Sequence, residues 1–306
     1  MFVNTENKFI WKNGEFESWN NTNVHILSHT LHYGTGVFEG VRAYKTKKGA
    51  AIFRLSDHTN RLFDAASKLN IKIPFSRDEL NHIQCNVLNQ NRLAEGYIRP
   101  IVYLGNEGLG LRAKDLSVNV AVAAWEWPSY MDPVAKENGI SVIKSSHKQY
   151  ENPLHSGNKI IGTYFSNTMA LHEALDKGAD EAIMMDMNGF ISEGSGENIF
   201  IVKEGEIMTP TTNHCLNGIT RQSVIQIAKD LSINVIEKDL TYEDLKNADE
   251  AFFTGTAVEI TPIAIIDQSS ISDGKRGPVT TILQDTFLSI VSGHNSQYSN
   301  WLTYTS

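Results

Sequence analysis

Cysteine is nearly absent: Cys85 and Cys215 are the only two in 306 residues, and they lie far apart. That excludes a disulfide framework and a cysteine-based metal motif, and Cys85, between Ile83 and Val87 at a helical position, reads as a core thiol. Basic residues are not in surplus. Lys and Arg number 27 against 35 Asp and Glu, for a formal charge of -8, and they are dispersed, which argues against a nucleic-acid scaffold. Long apolar runs are missing too; none reaches the length that spans a bilayer, and Asn4, Glu6 and Lys8 before Ile10 leave no apolar signal core. A cytoplasmic chain without membrane attachment is expected. The histidines are scattered, and His25, His29 and His32 have no acidic or cysteine partners at ligand spacing, so no metal is expected. Internal repeats and low-complexity segments are also lacking.

The length exceeds the common single-domain size, so two domains or one large α/β domain are expected, and the hairpin, helices and sheet of the first half predict an α+β protein. Asn13-Gly14 predicts a hairpin around Trp11 to Phe16. Ser56 to Asn70 reads as a helix with Ser56 as N-cap and Leu62, Ala65, Ala66 and Leu69 on one face. A second helix starts at Ser76, where Ser76 and Glu79 form a capping-box pattern. Strands follow at Tyr97 to Leu104 and Val118 to Trp125. Between Glu126 and Glu137 two prolines and a loss of periodicity mark a linker. The expected organisation is a small N-terminal domain over 1–125, a linker over 126–137, and a larger C-terminal domain over 138–306 that carries Lys159. Trp127 and Tyr130 in the linker fit either a cleft or plain interdomain packing.

The run from Gly189 to Phe200 is the most informative segment. Glu181 to Asp186 reads as a strand, Asn188-Gly189 as a turn and Asn198 to Val202 as the next strand, placing Glu193 where a sheet opens into a loop. A carboxylate buried there needs a partner, and a protonated pyridine would serve; a glycine-rich turn with a solvated acid is the plain alternative. Gly218-Ile219-Thr220 leads into a helix whose apolar face is Val224, Ile227, Ala228 and Leu231, so its backbone N-H groups suit a phosphate or form an ordinary cap. Gly255-Thr256-Ala257 repeats the device at a strand end. Arg61 adds a permanently charged fork, although an arginine on an amphipathic helix is often simply solvated. Nothing local distinguishes Lys159 from a surface lysine, save the flanking Ile160 and Ile161.

Taken together, several stretches resemble the branched-chain amino acid aminotransferases, within the fold type IV pyridoxal-phosphate enzymes that also include D-amino acid transaminases and aminodeoxychorismate lyases. They are Leu31 to Arg42, His58 to Leu62, Tyr97 to Pro100, the Glu193 run, Gly218 to Arg221 and Gly255 to Pro262. The resemblance implies a two-domain fold of the D-amino acid aminotransferase type and transfer of an amino group between L-leucine, L-isoleucine or L-valine and 2-oxoglutarate. It implies pyridoxal 5'-phosphate, with Lys159 as Schiff-base anchor and proton shuttle, Glu193 on the pyridine nitrogen and Tyr164 on the ring 3-oxygen. Arg61, Gly218, Ile219, Thr220, Gly255 and Thr256 would hold the phosphate. Phe38, Gly40, Trp127 and Tyr130 would shape an apolar substrate pocket, with Tyr97, Arg99 and the Thr256-Ala257 backbone at the substrate carboxylate. Tyr33 and Leu111 would reach in from the second subunit of a homodimer. The activity alternatives are the D-amino acid transaminase and the lyase. His155-Ser156-Gly157-Asn158 before Lys159, and Ile160-Ile161 after it, depart from the family pattern.

Overall fold

The computed structural model describes residues 8–127, 133–149 and 157–305. Two compact units emerge, one of Met1–Pro128, Asn158–Gly162 and Ile290–Ser306, the other of Ser129–Gly157 and Thr163–Ser289. Tyr130 and His155 lie outside the described residues.

The first unit is built on an antiparallel sheet. Its order is Leu302–Tyr304, Gly49–Phe53, Val41–Thr46, Gly96–Leu104, Val118–Trp125, Phe9–Lys12 and Glu15–Ser18, with Gly36–Phe38 added onto Gly96–Leu104. Asn13 and Gly14 take φ of 50° and 110°, as the tight turn between the first two strands demands. Helices Leu55–Lys68 and Arg77–Gln90 supply the rest of the core, in which Leu62, Ala65, Ala66, Leu80, Val87 and Leu88 are buried together. The Ser76 capping box forms as the spacing predicts: Glu79 N donates to Ser76 Oγ at 3.2 Å and Ser76 N donates to Glu79 Oε2 at 2.7 Å. The preceding helix starts earlier than expected. Its N-cap is Arg54, not Ser56, because Arg54 adopts a left-handed φ of 48°, donates its N-H to Trp301 O at 2.7 Å and pairs with Asp57.

Two segments group otherwise than the sequence suggests. Asn158–Gly162, with Lys159, belongs to the first unit: Val37 and Ile160 form a β-bridge, Phe38 N donates to Lys159 O at 3.2 Å, and Gly162 N donates to Gly34 O at 3.1 Å. The C-terminal strand joins the same unit by pairing Leu302–Tyr304 with Gly49–Phe53. Both are long-range backbone pairings, which local periodicity does not encode.

The second unit is a mixed sheet in the order Ile191–Glu193, Glu181–Met185, Ile140–Lys148, Glu259–Ile266, Glu250–Gly255, Asn198–Lys203, Glu206–Thr209, Val235–Glu237, with Ser269–Ser270 paired to Glu259–Ile266. Ile140–Lys148 runs parallel to both its neighbours. Phe200 and Phe252, opposite each other on adjacent strands, stack at 5.1 Å. Helix Tyr164–Asp176 buries Ala170 and Ala174 against Ala182 and Met184. Helix Ile219–Asp230 buries Val224, Ile227 and Ala228, but Leu231, expected on that face, is the C-cap and stays exposed.

Gly34 shows how closely the Lys159 segment is seated. It has φ of +67°, and a Cβ there would lie 2.6 Å from Gly162 Cα, whereas Gly189 has φ of +91° with no described atom near its missing Cβ. Both alanine variants incur left-handed strain of about 1–3 kcal/mol. Gly34→Ala adds a backbone collision and should lower the urea midpoint further than Gly189→Ala; equal losses would contradict the close seating.

Candidate active site

The amine of Lys159 stands among charged and aromatic groups of its own unit. Its Nζ lies 5.2 Å from the centre of the Phe38 ring, and the residue is half-buried. Desolvation pushes its pKa below the ordinary lysine value; the Arg61 guanidinium adds to the shift and Arg99 contributes least, while Glu39 and Tyr97 oppose it. An amine in this setting spends more of its time unprotonated, which is the form that attacks a carbonyl carbon.

Arg61 projects from helix Leu55–Lys68 and is held by Glu39, with Nε to Oε1 at 2.6 Å and Nη2 to Oε2 at 2.9 Å. Glu39 is wholly buried. Burial alone would raise its carboxyl, but the Arg61 charge and the hydrogen bond from His58 outweigh that and hold it well below the usual carboxylate range. Burial pushes the His58 imidazole down while the Glu39 carboxylate opposes the shift, and its Nδ1 donates to Glu39 Oε2 at 2.8 Å.

Tyr97 and Arg99 come from the same strand, two residues apart and therefore on one face. Arg99 Nη2 donates to the Tyr97 hydroxyl at 3.3 Å, and its guanidinium carbon lies 4.9 Å from the Phe38 ring centre. Arg99 Nε is buried with no hydrogen-bond partner among the described residues. Gly40 makes room for Tyr97, since a Cβ at position 40 would fall 1.8 Å from the Tyr97 hydroxyl. Trp127 packs 4.6 Å from the Tyr97 ring and stacks on Trp125 at 5.6 Å. Tyr33 and Leu111 are exposed, Leu111 to 87%. The first unit thus gathers Lys159, Arg61, Phe38, Gly40, Tyr97, Arg99 and Trp127, and leaves Tyr33 and Leu111 on its surface.

The second unit gathers the other candidates. Glu193 ends the Ile191–Glu193 strand where the register shifts, and only 7% of it is exposed. Its Oε1 accepts from Gln149 Nε2 at 2.7 Å, and its Oε2 accepts from Leu216 N at 3.1 Å and Asn198 Nδ2 at 3.4 Å. The loop after Glu193 is tied down on two sides: Ser195 Oγ donates to the buried Glu181 at 2.9 Å, and Asn167, one turn into the helix that Tyr164 opens, donates to Ser195 O at 2.7 Å. Helix Ile219–Asp230 begins at Gly218 without a side-chain cap among the described residues, and Ile219 and Thr220 are buried. A Cβ at Gly218 would sit 2.0 Å from Asn198 Oδ1, so the glycine lets the helix start approach the residue that binds Glu193. Gly255 ends strand Glu250–Gly255, Thr256, Ala257 and Val258 form the turn into strand Glu259–Ile266, and Thr254 Oγ1 beside it is buried with no partner among the described residues.

Each unit's donor set suits groups of a phosphorylated pyridine aldehyde. In the first unit a partly desolvated amine matches an aldehyde and a guanidinium fork a phosphate; in the second a fixed carboxylate matches a ring N-H⁺ and an uncapped helix start a phosphate. Comparison with known proteins points the same way. The family described as Amino-transferase class IV matches residues 36–266.

The chain belongs to the class IV aminotransferases.

Among relatives in this family, the branched-chain-amino-acid aminotransferase of Pseudomonas aeruginosa is 48% identical over 295 residues, covering 96% of each chain. That of Escherichia coli K12 is 40% identical over 297 residues, again covering 96% of each. A solved branched-chain amino acid aminotransferase from T.th., complexed with N-(5'-phosphopyridoxyl)-L-glutamate, superposes with a TM-score of 0.94 at 41% identity, covering 98% of this chain and 99% of that one. A structure of the same enzyme with pyridoxamine 5'-phosphate gives 0.95 at 42% identity, with the same coverage.

Among the partners of the candidate residues, the sequence reading missed Glu39 and His58 in the first unit and Gln149 in the second. Glu39 stands inside the resembling stretch, and His58 and Arg61 share a helix face three residues apart, so a search for a buried partner of Arg61 could have found both. Gln149 carries no local signal.

The depressed Lys159 pKa has a consequence for stability. At pH values between its folded and unfolded pKa the unfolded chain binds more protons, so stability rises with pH there. Lys159→Met should therefore stabilise the cofactor-stripped protein at neutral pH, by an increment that fades as the pH approaches the ordinary lysine value of 10.5. Thermal melts across that range check it, and a gain that grows with pH would contradict the assignment.

Proposed function

We propose that this class IV aminotransferase transfers the amino group between branched-chain L-amino acids and 2-oxoglutarate, with pyridoxal 5'-phosphate as cofactor. The observation that carries the reading is the Lys159 amine, its protonation disfavoured by desolvation and Arg61, beside the aromatic ring of Phe38. Relatives 48% and 40% identical that carry the branched-chain name support the substrate class. So does the apolar wall of Phe38, Tyr97, Trp125 and Trp127, which suits an aliphatic side chain.

Lys159 would hold the cofactor through its amine and would carry the proton at the substrate α-carbon. The cofactor, when bound, supplies an electron sink for the electrons that the lost proton leaves behind. Glu193 keeps the pyridine nitrogen protonated, and the donors from Gln149, Leu216 and Asn198 fix its carboxyl in place for that task. Tyr164 donates to the ring 3-oxygen. Arg61, the Gly218-Ile219-Thr220 helix start and Gly255-Thr256 take the phosphate dianion. Arg99, Tyr97 and the Thr256-Ala257 backbone orient the substrate carboxylates, Phe38, Trp127 and Tyr130 line the pocket, and Gly40 admits the Tyr97 hydroxyl beside it. Tyr33 and Leu111 belong to a homodimer interface in which each subunit completes the other's site; the exposed Ile26, Leu31, Leu109 and Leu111 give the first unit apolar surface for that contact. The setting is cytoplasmic, in keeping with the absence, among the described residues, of a helix long and apolar enough to cross a membrane.

A donor panel with 2-oxoglutarate tests the reading. L-Leucine, L-isoleucine and L-valine should yield glutamate and D-alanine should not; reaction of D-alanine without L-leucine would overturn it. Arg99→Ala should raise KM for 2-oxoglutarate more than for the aliphatic 2-oxo acids, because only the former brings a second carboxylate. Equal losses would remove the dual role from Arg99.

A further inference from the structure

We infer that Glu39 is a positioning residue that sets which edge of the Arg61 guanidinium is offered to the cofactor phosphate and balances the charge around the Lys159 amine. The inference rests on the cofactor reading above and extends it to a residue that touches neither the phosphate nor the reacting atoms.

The geometry is that of a buried hub. Glu39 lies between Phe38 and Gly40, just past the end of strand Gly36–Phe38, and its N-H donates to Pro100 O at 2.9 Å. The neighbouring Phe38 N-H binds Lys159 O, so the backbone that carries the Glu39 carboxylate also carries the lysine segment. Gly40, on the other side, is the residue that admits the Tyr97 hydroxyl. From this hub the Glu39 carboxylate takes two hydrogen bonds from one edge of Arg61, those of Nε and Nη2, and a third from His58.

An arginine with five donors can present more than one edge to an anion. Occupying the Nε and Nη2 edge with a wholly buried carboxylate removes that freedom, and the two parallel bonds fix the plane of the guanidinium as well as its position. A solvated arginine has to be ordered by each anion it meets; this one is ordered beforehand. The second effect is electrostatic. The groups that face the Lys159 amine are Arg61 and Arg99, which are cationic, and Glu39 and Tyr97. Glu39 is the carboxylate in that set and the stronger of the two opposing groups, so without it the two guanidinium charges act on the amine with less to oppose them.

The test compares pyridoxal 5'-phosphate with pyridoxal, which lacks the phosphate, by equilibrium binding to the full-length protein stripped of cofactor. In wild type the phosphorylated form should bind far more tightly. Glu39→Gln should cut that preference about tenfold or more, the scale on which a partner that orients a ligating group acts, while affinity for pyridoxal stays near wild type. In the same proteins, acetylation of Lys159 followed by peptide mass spectrometry should show its pH midpoint moved lower in Glu39→Gln, since the opposing negative charge is gone. In an Arg61→Gln background, Glu39→Gln should change the preference no further. A parallel fall for both ligands would mark a merely structural role and overturn the inference, as would an unchanged ratio. If Glu39→Gln does not fold, Glu39→Asp carries the test: it keeps the charge but retracts it, so the preference should fall with the acetylation midpoint unmoved, and an unchanged preference overturns the inference. Wild type that binds both ligands equally would instead overturn the cofactor reading on which the inference stands.

Discussion

An amine kept partly out of water beside a guanidinium is the constraint on which the rest of this structure depends. Lys159 would be an ordinary cation on a flexible stem if it were solvated, and ordinary lysines are poor nucleophiles at neutral pH. Here backbone pairing to strand Gly36–Phe38 fixes the segment, Phe38 covers the amine on one side, and Arg61 disfavours its protonation. Arg61 is itself useful in that place only because Glu39 anchors it. The chain of dependence runs from two glycines that permit close backbone approach, Gly34 and Gly162, to the protonation state of a single nitrogen.

The Glu193 side follows the same logic with the opposite charge. A carboxylate that is buried and meant to stay ionised must be given donors in compensation. Gln149, Asn198 and the Leu216 amide provide them, and Asn198 also binds Leu216 O, which links the acid to the start of helix Ile219–Asp230. One asparagine thereby coordinates the groups assigned to the ring nitrogen and to the phosphate.

Much of this was legible in the sequence, for reasons that can be named. The Asn13-Gly14 turn, the Ser76 capping box and the Gly218 helix start are local devices whose signals lie within a few residues of each other. Glu193 could be placed at a strand corner because glycines and apolar runs flank it. The resemblance to a known family brought in Lys159, which periodicity alone left indistinct. What stayed hidden was long-range: the return of residues 158–162 and 302–304 to the first sheet, the Glu39 to Arg61 pairing across 22 positions, and the reach of Gln149 to Glu193 across 44. The misplaced N-cap at Ser56 has the same origin, since the Arg54 amide is satisfied by Trp301, far along the chain. Polar partnerships of this kind depend on topology, and a single sequence shows only their separate halves.

Covalent trapping tests the central claim about Lys159 most directly. The protein is incubated with pyridoxal 5'-phosphate, reduced with borohydride, digested and mapped by mass spectrometry. The environment described for Lys159 predicts a pyridoxyl group on that residue at one equivalent per chain, displaced when L-leucine is added before the reduction. Label spread over surface lysines, or concentrated on another lysine while Lys159 stays unmodified, would contradict it.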